Sequence, residues 1–225
     1  MQYYPAFLDL SDKKCLLAGT GAVGRRKLKA LLECAPGKLV VVDPAPLDPA
    51  ITELIRHHRV DYFNRHFEES DLDGCFLAIA ATGSADANAA IADLCRKQNI
   101  LCNVIDAPAS GDFIVPAHFR LDGLCVALST SGQSPALARA IRQDLQDHLH
   151  SRYDALLKLL GRLRPLVLAR NTSPDDNSAL FRAVVHSNLA QALEKKDSAT
   201  AGAILGEILP PELRHSIGDL LHELV

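Results

Sequence analysis

The stretch from Lys14 to Cys34 constrains the fold more than any other part of the sequence. A β-rich run, Lys14–Ala18, leads straight into Gly19-Thr-Gly21-Ala-Val-Gly24, and a helical pattern, Ala22–Cys34, follows. A GxGxxG between a strand and a helix suits the binding of a diphosphate. Gly19 permits the tight turn, Gly21 lets the main chain approach the phosphates, and Gly24 lets the helix pack closely on the strand. The first turn of the helix, with Ala22 and Val23, supplies free N–H groups and partial positive charge. The motif alone is weak evidence. Here a second run, Leu39–Val42, ends at Asp43-Pro44, about 20 residues downstream as the dinucleotide fingerprint expects. A carboxylate there can accept hydrogen bonds from both hydroxyls of a ribose and repels a 2′-phosphate, so the pattern predicts NAD over NADP. The competing reading is a plain glycine turn with a solvated aspartate at a strand end. Glycines, strand context and aspartate in one register argue against it.

Further strands are predicted at Cys75–Ala80 and Ile100–Ile105, with a weaker one at Val60–Phe63, and helices at Asp48–His58 and Ala85–Lys97. Within Asp48–His58, Ile51, Leu54 and Ile55 have the spacing of one buried helix face. Alternating strands and helices imply right-handed crossovers and a parallel sheet. Unbroken apolar runs such as Leu39-Val40-Val41-Val42 suit strands covered on both faces. The fold class is therefore α/β, a Rossmann-type doubly wound parallel sheet. Ala81 and Thr82, small residues at the end of the Cys75–Ala80 strand, lie at the carboxyl edge where such sheets bind ligands.

Beyond Ile105 the pattern changes. Residues 106–112 read as a loop, and Phe113–Leu121 and Leu124–Ser129 flank Asp122-Gly123, a hairpin-turn dipeptide. Ser134-Pro135 starts a helix, serine at the cap and proline in the first turn. From Ser151 onward the sequence is helical: Tyr153–Leu168 with an interruption near Pro165, then Ser178–Glu194, Ala199–Ile208 and Pro211–Leu224. Three regions result, 1–112, 113–150 and 151–225.

Bulk properties exclude several classes. A formal charge of −3 offers no basic surface for nucleic acid. The opening residues lack a secretory signal and no apolar run is long enough to span a membrane, so a soluble cytoplasmic protein is expected. The six cysteines form no CxxC pair and read as small buried hydrophobes. His57, His58, His66, His148 and His150 read as helix-end or surface residues, His118 as structural or exposed, and no pattern suggests a convergent metal site.

Several segments carry a resemblance. Tyr4-Pro-Ala-Phe-Leu-Asp-Leu10, the run from Cys15 to Lys27, Leu77-Ala-Ile-Ala-Ala-Thr82, Cys102-Asn-Val-Ile-Asp-Ala-Pro108, Phe113-Ile-Val-Pro116 and Ser129 through Arg139 resemble the siroheme synthase dehydrogenase/ferrochelatase family. The likeness covers about the first 150 residues, and the helical tail only in character. It implies NAD-dependent oxidation of precorrin-2 to sirohydrochlorin and, in many members, insertion of ferrous iron or cobalt as a co-substrate. It implies a homodimer, with region 113–150 serving dimerisation and substrate, and no methyltransferase domain, since the chain ends at Val225. Family members often have glycine where Thr20 stands and alanine where Gly24 stands; both exchanges suit the turn.

The resemblance makes Asp106 the catalytic residue; by itself, a loop aspartate before Ala-Pro would be a turn former. A carboxylate there can take a proton or help to hold pyrrole nitrogens. Asn103 has two readings, contact with the nicotinamide or a cap on the strand. Ser129, Thr130, Ser131 and Ser134 precede a helix start, and hydroxyls with free N–H groups suit the many carboxylates of precorrin-2. Arg139 can clamp a carboxylate bidentately. For all five the alternative is structural, a capped loop and a surface or dimer ion pair. Arg25, Arg26 and Lys27 flank phosphate or lie on a solvated helix face. The rival reading of the whole is an NAD-sensing regulatory module without catalysis, which shares the glycines and Asp43 but has no use for Asn103 through Asp106 followed by the Ser-Pro helix.

Overall fold

The computed structural model describes residues 3–225 except 47, 57, 122 and 171, and for Ser151 the backbone alone. His57 and the Asp122 half of the hairpin turn thus lie outside the described residues. The chain divides into two compact units, Gln2–Val115 and Pro116–Val225.

The first unit runs β1 (Lys14–Ala18), α1 (Ala22–Glu33), β2 (Lys38–Val42), α2 (Pro49–Ile55), β3 (Val60–Phe63), β4 (Cys75–Ala80), α3 (Ala85–Gln98) and β5 (Leu101–Val104). A short 3-10 turn, Glu69–Leu72, precedes β4, and another, Pro108–Ser110, follows β5. The five strands are all parallel, in the order β3-β2-β1-β4-β5. Alternation along the strands sorts the core into two layers. Cys15, Leu17, Leu39 and Val41 meet Leu28, Leu31 and Leu32 of α1. Leu16, Ala18, Val40 and Val42 face the other way and meet Ile91, Ala92 and Cys95 of α3. Both sheet faces are therefore covered, which explains the unbroken apolar runs. Each fully buried leucine contributes about 1.5–3 kcal/mol. From β1 the chain winds outward to β2 and β3, then returns to place β4 and β5 on the other side. The strand order reverses at β1 and β4, and the carboxyl ends there frame a crevice.

The second unit begins with an antiparallel hairpin, β6 (Ala117–Leu121) and β7 (Leu124–Leu128), with Phe119 opposite Val126. Residues 113–116, expected in the first hairpin strand, are outside it. The Phe113 carbonyl accepts a hydrogen bond from Asn103 Nδ2 at 2.9 Å, which ties that residue to β5 instead. Helix α4 (Pro135–Leu168) is continuous for 34 residues. Pro165 does not interrupt it: it forgoes the i→i−4 bond to the Gly161 carbonyl, but it stands in the last turn and only three residues of the helix follow it. α5 (Pro174–His186) and α6 (Leu189–Glu194) replace the single helix expected over 178–194. Ser187 makes the break: its backbone is extended, its hydroxyl donates to the Val184 carbonyl at 2.7 Å and accepts from the Leu189 N–H at 3.2 Å. α7 (Ser198–Ile208) follows as expected. The last expected helix becomes a 3-10 turn, Pro211–Ser216, and a short α8 (Ile217–Leu221), whose end is held by Arg162 Nη1 donating to the carbonyls of Asp219, Leu220 and His222.

Leu156, Leu159, Leu163 and Val167 form one stripe of α4 and pack with Leu189, Leu193 and Leu205 in the helical core. Near the start of α4, Leu137 and Ile141 remain exposed. No described helix is long and apolar enough to cross a membrane. Cys15, Cys95 and Cys102 are buried, and Cys34, Cys75 and Cys125 are half-buried; all six are free thiols. Burial pushes the Cys15 thiol up to about 12, so it is inert at neutral pH.

Candidate functional site

A cleft of about 680 Å³ opens at the carboxyl edge of the sheet, within the first unit. The glycine turn forms one wall. Gly19 has φ +96°, and a Cβ there would collide with the carbonyl of Ala81 and stand 2.7 Å from the Thr82 nitrogen. A Cβ on Gly24 would collide with the Gly19 carbonyl oxygen. These two glycines are thus required by close approach within the protein. Gly21 differs: no heavy atom lies within 4 Å of where its Cβ would stand. It is the N-cap of α1 and offers no side chain to cap the helix, whereas Asp48, Ser84 and Ser134 cap α2, α3 and α4. The first-turn N–H groups of α1, beside Ala22 and Val23, therefore open on the cleft without a capping side chain. An open backbone at an uncapped helix start is a fit for a diphosphate.

Asp43 and Pro44 line the opposite wall. The aspartate is 8% exposed, and its carboxylate is already engaged. Oδ2 accepts from the backbone N–H of Thr20 and from the Thr20 hydroxyl at 2.8 Å, and Oδ1 accepts from the Ala45 N–H at 2.7 Å. Of the acceptor capacity expected to serve two ribose hydroxyls, one lone pair of Oδ1 is left. Burial works to raise the pKa of Asp43, but the hydrogen bonds from Ala45 and Thr20 outweigh it and hold the carboxyl below the usual carboxylate value. At neutral pH Asp43 is an anion that braces the glycine turn. Thr20 thereby has a role that a glycine at that position cannot fill.

Ala81 and Thr82 form part of the floor. The Thr82 N–H and hydroxyl both donate to Asn88 Oδ1, at 3.0 and 2.7 Å. Asn88 is buried in α3 and also donates from Nδ2 to Asp106 Oδ1 at 3.2 Å. Asp106 is exposed just past β5, next to Ile105, which lines the cleft. Asn103 does not line the cleft. It is 4% exposed, its Nδ2 is bound to Phe113, and its Oδ1 is the one buried side-chain oxygen or nitrogen among the described residues with no partner. Thus the first unit gathers the expected cofactor residues other than Asn103, with Asp106 nearby, at one edge.

Ser129, Thr130, Ser131, Ser134 and Arg139 belong to the second unit. The hydroxyls of Ser129, Thr130 and Ser134 serve the loop itself. Ser129 Oγ accepts from the Ser131 N–H at 3.0 Å, and Thr130 Oγ1 accepts from the Ser134 N–H at 3.1 Å. Ser134 Oγ caps α4 by accepting from the Leu137 N–H at 3.2 Å. Arg139 is exposed on α4. Arg25 is not free to bind phosphate, since Nη2 meets Asp48 at 2.7 Å and Nε donates to the Thr20 carbonyl. Lys27 is half-buried, which pushes its ammonium down to about 8.

The sequence reading missed three contributors. Neither Thr20 nor Asn88 had been given a role. His66 looked like a surface residue; it is exposed, but it lines the cleft with Phe67. Its position just beyond the third strand, on the ligand-binding edge, was the available signal.

Residues 6–117 match a family model described as putative NAD(P)-binding, and residues 122–148 match one described as sirohaem biosynthesis protein central. The chain is 33% identical over 216 residues to a siroheme synthase of Citrobacter koseri, which covers 96% of the chain and 47% of that protein. It is 34% identical over 213 residues to siroheme synthase 1 of Aeromonas salmonicida, covering 94% of the chain and 45% of the relative. The chain therefore spans about half the length of these relatives. Among solved structures it is similar to SirC, a precorrin-2 dehydrogenase, with a TM-score of 0.75 and 25% identity, over 92% of this chain and 98% of that one. By its two family matches, its relatives and its fold, the chain belongs to the siroheme synthase dehydrogenase/ferrochelatase family.

Proposed function

We propose that this chain oxidises precorrin-2 to sirohydrochlorin, with NAD as the hydride acceptor. One observation carries the reading: an exposed carboxylate, Asp106, stands a single side chain away from the floor of the nucleotide cleft, through Asn88 and Thr82. When bound, the nicotinamide accepts the hydride that leaves a ring carbon of the substrate. The protein's own residues do the rest. Gly21, Ala22 and Val23 hold the diphosphate against the open start of α1. Asp43 and Pro44 bound the ribose, and the ionised Asp43 disfavours a 2′-phosphate, which selects NAD over NADP. Ala81 and Thr82 leave room under the cofactor, and Asn103, behind the cleft, braces the end of β5 through its bond to the Phe113 carbonyl. Asp106 takes a proton that leaves the macrocycle as the hydride departs.

In this reading region 1–112 binds nucleotide, region 113–150 serves substrate and dimerisation, and region 151–225 is a helical domain. Ser129, Thr130, Ser131, Ser134 and Arg139 hold substrate carboxylates. The exposed Leu137 and Ile141 of α4 support a homodimer, because apolar side chains on a long helix gain by being covered. The enzyme works in the cytoplasm. Insertion of ferrous iron or cobalt into sirohydrochlorin is a second activity, with Asp106 aiding removal of pyrrole protons.

Anaerobic incubation with precorrin-2 and NAD tests the reading. The expected result is the absorbance of sirohydrochlorin appearing with NADH, and only when NAD is present. Folded protein that binds NAD yet gives no such change contradicts it. Adding ferrous iron or cobalt to sirohydrochlorin tests the second activity separately.

A further inference from the structure

We propose that Asn88 is a positioning residue for Asp106, holding one carboxylate oxygen so that the other is presented to the proton it takes. The inference rests on the reading of Asp106 given above. Asn88 lies one turn into α3, is 1% exposed, and donates its backbone N–H to the Ser84 carbonyl as the helix requires. Asparagine is a poor helix former, and a buried amide without partners is costly, so a structural position of this kind favours an apolar residue. Here every capacity of the amide is used. Oδ1 accepts from the Thr82 N–H and hydroxyl, and Nδ2 donates to the Thr82 carbonyl at 3.3 Å and to Asp106 Oδ1 at 3.2 Å.

The direction of the amide follows from its partners. The Thr82 N–H can only donate, so the amide oxygen must face it, and this turns the NH₂ group toward Asp106. Tying α3 to the strand end needs only the bonds to Thr82. The bond to Asp106 joins residues 18 positions apart and ends on an exposed carboxylate, where water would satisfy the oxygen equally well. Fold stability therefore does not require it. What it does is restrict an otherwise freely rotating side chain. Among the described residues Asn88 is the sole hydrogen-bond partner of the Asp106 carboxylate, and Oδ2 is left free. Because the same amide grips Thr82, the carboxylate is also held in fixed relation to the cleft floor. Misplacing a reacting group by about 1 Å can lower a rate on the order of 100-fold.

Asn88→Asp keeps the acceptor oxygen for the Thr82 N–H and hydroxyl, the two shorter bonds to the strand end, but turns an oxygen on Asp106 and on the Thr82 carbonyl in place of a donor. The expected result is kcat lower by about 10- to 100-fold. KM values and the calorimetric Kd for NAD stay within about 3-fold of wild type, the signature of a group that acts after binding. A crystal structure of the ligand-free variant should show the Asp106 carboxyl displaced. Asn88→Ser, too short to reach Asp106, should show the same split.

Wild-type kcat in either folded variant overturns the inference. So does a loss of NAD affinity that matches the loss of kcat, which would assign Asn88 to the cleft floor alone. Loss of a cooperative melt in both variants makes it a residue of the fold and overturns it equally. Asp106→Ala keeps the two claims apart. Full turnover in that variant removes the role of Asp106, whereas lost turnover there beside wild-type kcat in Asn88→Asp removes the role of Asn88 only.

Discussion

The two units bury different kinds of side chain. Among the described residues the first unit encloses Thr20, Asp43, Asp71, Asn88 and Asn103, while the second encloses Ser216 alone. In the second unit's serine- and threonine-rich loop, the hydroxyls of Ser129, Thr130 and Ser134 are bonded into the loop and the α4 cap. Buried polar groups are retained only where hydrogen bonds or function compensate their desolvation. Thr20, Asp43 and Asn88 meet that condition around one cleft. Asp71 meets it elsewhere, paired with Arg65 at 2.7 Å beside the 3-10 turn before β4. Asn103 meets it only in part, with Oδ1 unpartnered. The second unit is instead held by leucine packing along α4, and its polar groups stay near the surface. The first unit is thus built around buried polar groups and the second around an apolar core.

Substitutions can break or sharpen that contrast. The largest effect is expected at Asp106. Asp106→Ala should lower turnover at least about 1,000-fold while NAD binding, measured by calorimetry, is nearly unchanged. Wild-type turnover there would remove the carboxylate from the mechanism. Gly19→Ala comes next. A Cβ at φ +96° driven into the Ala81 carbonyl should weaken NAD binding by about 10-fold or more and destabilise the first unit by about 1–3 kcal/mol. In the second unit, Leu159→Ala should destabilise the helical core by about 2–5 kcal/mol in a denaturant titration. NAD affinity should not move while that variant is folded; a parallel loss would dissolve the distinction between the units.

The smallest effect concerns pH. Asp43 and Asp71 both have pKa values below the ordinary aspartate value of 3.8 in the folded chain. The sign follows from linkage: their stabilisation is fully present above that ordinary value and is lost as pH falls through the lower folded values. Thermal melts should therefore show stability declining in strong acid. Asp43→Asn should flatten part of that decline and leave the Asp71 part intact. An unchanged acid profile would mean that Asp43 does not brace the glycine turn.

Much of the first unit was legible because its signals are local. The glycine turn and the apolar strand runs each sit within a few residues, Asp43 follows about 20 residues on, and alternating strands and helices imply a parallel sheet. What was not legible depends on residues far apart in sequence. Nothing near Thr20 says that its hydroxyl meets Asp43, and nothing near Asn88 says that its amide meets Asp106. The role proposed for Asp106 came from resemblance, since a loop aspartate before Ala-Pro has no local mark of chemistry. In the second unit, one serine side chain splits the helix expected over 178–194, and a proline in a last turn fails to interrupt α4. Both outcomes depend on how the neighbouring backbone is held, which composition does not reveal.

The central claim is that a dinucleotide lies with its diphosphate on the bare main chain at Gly21 and its nicotinamide toward Asp106. A crystal structure of the wild-type protein with NAD measures this directly. Phosphate oxygens should lie within hydrogen-bonding distance of the first N–H groups of α1, and the nicotinamide ring on the Asp106 side of Thr82. A dinucleotide bound elsewhere, or with its ring turned away from Asp106, would contradict it.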